Sequence, residues 1–203
     1  MQKGKVPPYI VFGDSIIIDD KGIEKYKEGE IARNKCRISN DLFETFMREG
    51  CICGLSSVVV RKDAFTDNIR FDKYKVAEEF DVWLKISYMH ATEFSYVKDI
   101  VYKYRIHDKS ATLLNYENMF TEALELYTGW LGKIEKVELR NKCLRRISDI
   151  KSKYAHWLLK TGRKAEAFNN IKDSLAADRC NIAIWISYIK FHIKYLYKIK
   201  RDN

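Results

Sequence analysis

Hydrophobic and polar positions follow two different rhythms along this chain, and the change falls near residue 115. Before it, short β-branched runs alternate with short helical ones. Residues 9–13, Tyr-Ile-Val-Phe-Gly, predict a strand, and Ser15 with three isoleucines follows. Asp19, Asp20, Lys21 and Gly22 then carry a turn signal. Residues 39–50 place Leu42, Phe43, Phe46 and Met47 at helical spacing, with a polar start and Gly50 as the stop. Residues 56–60, Ser-Ser-Val-Val-Val, predict a buried strand. Phe80, Val82, Trp83, Leu84 and Ile86 predict a mostly buried helix over 78–88, and 94–97 and 100–104 predict two more strands.

After residue 115 the spacing is helical throughout and predicts helices over 119–131, 137–160, 163–177 and 182–200. The positions Ala155, Leu158, Gly162, Ala167 and Ile171 resemble one tetratricopeptide-type helical hairpin, with small residues where two helices would touch and Gly in the turn. Arg179 stands near the place where a proline commonly closes such a repeat. A single copy is not an array, which needs about three units. The expected architecture is an α/β portion over 1–115 followed by an all-α segment over 116–203.

Composition agrees with a folded chain: 46% hydrophobic residues, 13% aromatic and only two prolines exclude a disordered tail. No apolar run approaches the ~18 residues of a membrane-spanning helix, and the first residues lack the apolar stretch of a secretory signal. The expectation is a cytoplasmic protein, with a peripheral position at the inner face of the membrane as a variant of it. Net charge is +9 and is unevenly spread: residues 1–115 are nearly neutral at +1, while 116–203 carry +8. Five cysteines, Cys36, Cys51, Cys53, Cys143 and Cys180, make an odd set that predicts reduced thiols. Cys51 and Cys53 have no second pair or nearby His to complete a zinc site, so buried thiols are expected there.

Two segments hold candidate chemistry. Glu78, Glu79 and Asp81 fall within four residues at a predicted helix start. Acids there interact favourably with the helix dipole, which is a sufficient structural reason for them. Crowded, partly buried carboxylates can also be tuned to act as a general base. Further on, Arg105 and His107 are two apart and would share a face if the strand continued. A guanidinium and an imidazole suit a diphosphate or a metal bound to one; an ordinary polar strand end is the plainer account.

Taken in order, four landmarks over residues 9–112 resemble the C-terminal part of the catalytic domain of family 2 glycosyltransferases, which have the GT-A fold. Phe12-Gly13-Asp14 with Asp19-Asp20-Lys21-Gly22 is similar to that family's strand, turn and "D..G" segment. Ser56-Ser57-Val-Val-Val-Arg61-Lys62-Asp63-Ala-Phe65 is similar to its "SS-hydrophobic-RR..F" segment. Phe71-Asp72 followed by Glu78-Glu79-Phe80-Asp81-Val82-Trp83-Leu84 is similar to its "F.....EDydlWl" motif. Tyr104-Arg105-Ile106-His107-Asp108-Lys109-Ser110 is similar to its "YRiH..s" motif. The four cover about half of the chain.

The resemblance implies that Glu79 is the base that deprotonates the acceptor hydroxyl, with Glu78 and Asp81 beside it. Asp is usual at that position, and the extra methylene of Glu shifts the carboxylate by about an ångström. By the same resemblance His107, with Arg105, faces the donor diphosphate or its metal, and Trp83 packs under the acceptor site; a plain core aromatic is an equal account of Trp83. The family's nucleotide-binding half, with the Asp-x-Asp that holds Mg²⁺ or Mn²⁺, has no counterpart in this sequence. Asp19-Asp20 lies in a turn beyond that point and is no substitute, so the ligand set for the metal is incomplete. The expectation is the acceptor-side part of an inverting enzyme that moves sugar from a nucleotide-sugar to a saccharide or lipid-linked acceptor, as in cell-surface polysaccharide biosynthesis. The rival expectation is a non-catalytic remnant or helical interaction module. A sheet cut from a larger domain would expose an edge and a face, which predicts homo-oligomers or poor solubility.

The last predicted helix adds a partner question. No acidic residue occurs from Arg179 to Arg201, whereas six basic ones do. Lys190, Lys194, Lys198 and Arg201 follow one line, and Ile186, Ile189, Ile193, Leu196 and Tyr197 another. A basic amphipathic helix over 182–201 suits an anionic membrane surface. The favoured reading packs the apolar line on the preceding hairpin and leaves the lysines in water. Nucleic acid ranks third, since no binding motif accompanies the charge.

Overall fold

The structure is a computed structural model that describes residues 7–27, 38–71, 73–107, 110 and 114–202, with backbone alone at 26–27 and beyond 196. Cys36, Asp72, Asp108, Lys109 and Thr112, and the side chains of Tyr197, Lys198 and Arg201, lie outside the described residues. The chain is a mixed α/β protein and divides into two compact units, Met1–Tyr116 and Glu117–Asn203.

The first unit is built around β1 (Ile10–Ile18), nearly all of which is buried. Its β-branched run joins the two apolar stretches of the sequence into one strand. β4 (Phe94–Arg105) pairs parallel to β1 along its whole length. β2 (Glu24–Lys27) and β3 (Val58–Val60) both pair antiparallel to β1, at Ile16–Ile18 and Ile10–Phe12 respectively. A strand has two edges, so β2 and β3 share the edge that β4 leaves. The turn between β1 and β2 is held by Asp19, whose carboxylate accepts from the backbone N–H groups of Lys21 and Ile23 at 3.0 and 2.8 Å.

β4 replaces the two strands expected over 94–97 and 100–104. The register explains the difference: Val97 faces Gly13, Ile100 faces Asp14 and Tyr102 faces Ser15. β4 thus carries extra residues opposite Asp14, and such a bulge breaks the two-residue alternation without ending the strand. The strand expected to be buried over 56–60 is also corrected. Leu55–Ser57 form a 3₁₀ turn, β3 is only three residues long, and Val59 is 73% exposed. Three valines favour extended backbone, but a short strand at an open flank has nothing to cover its outer face.

α1 (Leu42–Glu49) starts at Asp41, which caps it by accepting the Glu44 N–H at 2.8 Å, and it stops at Gly50. α2 (Glu78–Met89) buries Phe80, Val82, Trp83, Leu84 and Ile86, as the spacing predicts. The two helices meet through Phe46 and Phe80, edge to face with ring centres 5.6 Å apart.

The second unit is all helix: α3 (Tyr116–Leu131), α4 (Val137–Lys160), α5 (Lys164–Ala177) and α6 (Ile182–Asp202). α4 and α5 form the expected hairpin around Gly162, and Ala155, Leu158, Ala167 and Ile171 are all fully buried. Small side chains let the backbones approach closely. The Ser148 hydroxyl donates to the Ser174 carbonyl at 2.6 Å, and the Ser174 hydroxyl returns the bond at 2.7 Å. Among the described residues, no helix is long and apolar enough to cross a membrane.

α6 overturns the favoured reading of its faces. The face that packs carries Ile184, Ser187 and Phe191: Ser187 meets Ser152 at 2.7 Å and His156 at 3.0 Å, while Ile184 and Phe191 are buried. Ile186, Ile189, Ile193 and Leu196, expected to pack on the hairpin, face outward. An α-helix has room for a third face, and hydrophobicity alone does not say which apolar line meets the core.

Candidate active site

The start of α2 opens on a cleft of about 280 Å³ in the first unit, lined by Gly54, Leu55, Ser56, Lys75, Glu78, Glu79, Tyr102, Tyr104 and Asn115 among others. Three segments far apart in sequence build it: the 3₁₀ turn before β3, the first turn of α2, and the second half of β4.

Glu79 is its most constrained acid. Its Oε2 accepts the backbone N–H of Leu55 at 2.8 Å. Burial pushes its carboxyl above the ordinary glutamate range, the Leu55 N–H opposes that shift, and the neighbouring Glu78 carboxylate adds to it. The result is a fixed carboxylate with a raised proton affinity at the edge of a cleft, which is what proton abstraction from a hydroxyl requires. Glu78 lines the same cleft.

Asp81, grouped with them on sequence, is separated by the helix. It is buried and ion-paired with Lys85, one turn on, at 2.6 Å. Trp83 is 2% exposed and packs edge to face on Phe71 with centres 5.8 Å apart, a core position and not a floor to the cleft.

Arg105 and His107 do not share a strand face, because β4 ends at Arg105. The Arg105 guanidinium donates from Nη1 to the carbonyls of Asp19 and Asp20, at 3.0 and 2.8 Å, and so ties the β1–β2 turn to the end of β4. His107 lies in the turn beyond, where its backbone N–H and carbonyl both bond the Ser110 hydroxyl. Neither residue lines the cleft.

The cysteine pair is corrected in part. Cys53 is buried, but Cys51 is exposed, with its thiol donating to the Cys53 carbonyl at 3.1 Å. Cys51 and burial together raise the Cys53 thiol well above its usual range, which keeps it protonated. Among the described residues, no three His, Cys, Asp or Glu side chains converge.

Spacing along the sequence missed the Leu55 N–H and the two tyrosines. The N–H belongs to the backbone, which residue types do not reveal. Tyr102 and Tyr104 had a usable signal, since a two-residue spacing on a strand puts both on one face. Gly54 makes room for Tyr102: a side-chain carbon at Gly54 would lie 2.8 Å from the Tyr102 hydroxyl oxygen.

The cleft therefore offers one tuned carboxylate, one further acid, an ammonium, two phenols, a serine and an amide. Hydroxyls and amides at the rim suit a polyhydroxylated ligand, and tyrosine rings suit its apolar faces. No family model matches the chain, and no curated protein or solved structure matches it.

Proposed function

We propose that the first unit is the acceptor-side part of a family 2, GT-A-type inverting glycosyltransferase, with Glu79 as the base. The carrying observation is the Glu79 carboxylate at the cleft, fixed by the Leu55 N–H and raised in proton affinity by burial. The order of the sequence landmarks supports the same reading, since the second acid of the Glu78-Glu79 pair is the one so fixed.

In this reading an acceptor hydroxyl, on a saccharide or a lipid-linked saccharide, lies against Glu79. Its oxygen attacks the anomeric carbon of a nucleotide-sugar as Glu79 takes the proton. The carbon–oxygen bond to the nucleoside diphosphate breaks and the leaving group carries away the electron pair. Tyr102, Tyr104, Ser56 and Asn115 orient the acceptor by hydrogen bonds and ring contact. In this reading, donor binding and any divalent ion fall to a nucleotide-binding segment of the kind the resembled family carries. Arg105 holds the β1–β2 turn in this account.

The test is transfer by the full chain together with the polypeptide that supplies donor binding, read as nucleoside diphosphate release. Glu79→Gln is expected to lower kcat by about 10²–10⁴-fold, the range for loss of a positioned base, with KM for the acceptor little changed. Unchanged turnover in Glu79→Gln would remove the residue from the base role.

A further inference from the structure

α6 is a helix with three functionally different sides. One side is packed, through Ile184, Ser187 and Phe191. The second is an apolar line at steps of four and three residues: Ile182, Ile186, Ile189, Ile193 and Leu196. It is uncovered, with Ile189 56%, Ile193 63% and Leu196 58% exposed. At ~1.5 Å per residue, that ridge runs about 21 Å along the helix. The third side flanks the ridge and carries Lys190 and Lys194, and the sequence continues with Lys198, Lys200 and Arg201. Trp185, 44% exposed, stands beside the start of the ridge with its indole N–H donated to the Arg179 carbonyl.

A contiguous exposed apolar ridge of this length marks a surface that something covers. We infer that α6 lies on an anionic lipid bilayer, with the isoleucine ridge entering the interface and Lys190 and Lys194 meeting the headgroups. Charge complementarity selects this occupant. No acidic residue lies between Arg179 and Arg201, so neither Lys190 nor Lys194 has an acid one turn away along the helix. A second copy would bring two basic faces of a +8 segment together. A nucleic acid would meet the charge but not the isoleucines. A bilayer surface takes a convex apolar ridge and supplies the anions, and lysine stems reach from one zone to the other. The helix would lie on the membrane and not cross it. The inference is independent of the proposed transfer reaction, since it rests on the second unit alone.

The experiment is co-flotation of the full chain with phosphatidylcholine vesicles, with and without phosphatidylglycerol. Binding is expected only to the anionic vesicles and should weaken as salt is raised. Ile189→Ser with Ile193→Ser should reduce partitioning at least tenfold while leaving the thermal melt unchanged, because both side chains are already exposed. Lys190→Gln or Lys194→Gln should each cost about fivefold, the weight of one basic residue near an anionic surface. Equal binding to both vesicle types, or no binding to either, would overturn the inference. So would full binding by the serine variant, which would leave charge alone as the cause. Self-association of the wild-type chain that the serine variant abolishes would assign the ridge to a second copy instead.

Discussion

Glu79 shows how one backbone contact separates neighbouring acids. Glu78, Glu79 and Asp81 look alike along the sequence, yet Leu55 bonds one, Lys85 neutralises another, and the third is left at the rim. The raised proton affinity of Glu79 has a sign that can be checked. Its folded carboxyl binds protons more tightly than the unfolded one, so the folded state loses relative stability as pH rises through the window between the two. Glu79→Gln lacks that penalty and can still accept the Leu55 N–H. The Tm of the variant should therefore gain on wild type as pH rises above the ordinary glutamate value of 4.5, by scanning calorimetry against pH. A difference that stays constant or shrinks would show that burial does not govern this group. If Glu79 is the base, activity should rise over the same window as the carboxylate forms.

At the scale of elements, β1 and β4 pack closely where Gly13 meets Val101. A side-chain carbon at Gly13 would lie 2.6 Å from one Val101 methyl and 3.0 Å from the other. Gly13→Ala should therefore destabilise the first unit by about 1–3 kcal/mol, the usual cost of overpacking. Val101→Ala in the same chain should recover most of it, as a double-mutant cycle in denaturant would measure. Additive losses would mean that backbone movement, not the methyl contact, sets the cost. The helix start at Asp41 should cost about 1 kcal/mol when replaced by Ala, since the Glu44 N–H loses its acceptor. The elements most legible along the chain are those with local causes: α1 with its cap and stop, α2 with its apolar spacing, and the α4–α5 hairpin. β3 and β4 were less legible because a bulge and an uncovered flank depend on which strand lies alongside.

At the scale of the whole molecule, the two units have separate cores and different charge. The second closes its core with Phe120, Tyr127, Trp130, Ile147, Leu158, Ile171 and Phe191. It is further braced where Arg163 meets Glu117 and Glu166, and where the Tyr154 hydroxyl donates to Glu117 at 2.8 Å. Residues 117–203 produced alone should therefore be strongly helical by far-ultraviolet circular dichroism and melt cooperatively. A gradual, non-cooperative loss of signal would show that this core is incomplete by itself. The +8 of this unit stays with the helices, and the near-neutral first unit holds the candidate acid cleft.

Sequence by itself determined the change from mixed to all-helical structure near residue 115, the helix bounds, the hairpin and the segment that holds the candidate base. These follow from periodicity, caps and small-residue spacing, which act over a few residues. Tertiary structure decided the rest: that Leu55 selects Glu79, that Tyr102 and Tyr104 line the same cleft, that Arg105 clamps a turn, and that the isoleucine line of α6 faces outward. Each of these depends on which distant segment arrives beside a residue. Burial and backbone hydrogen bonds belong to that meeting, and no residue carries them in its own chemistry.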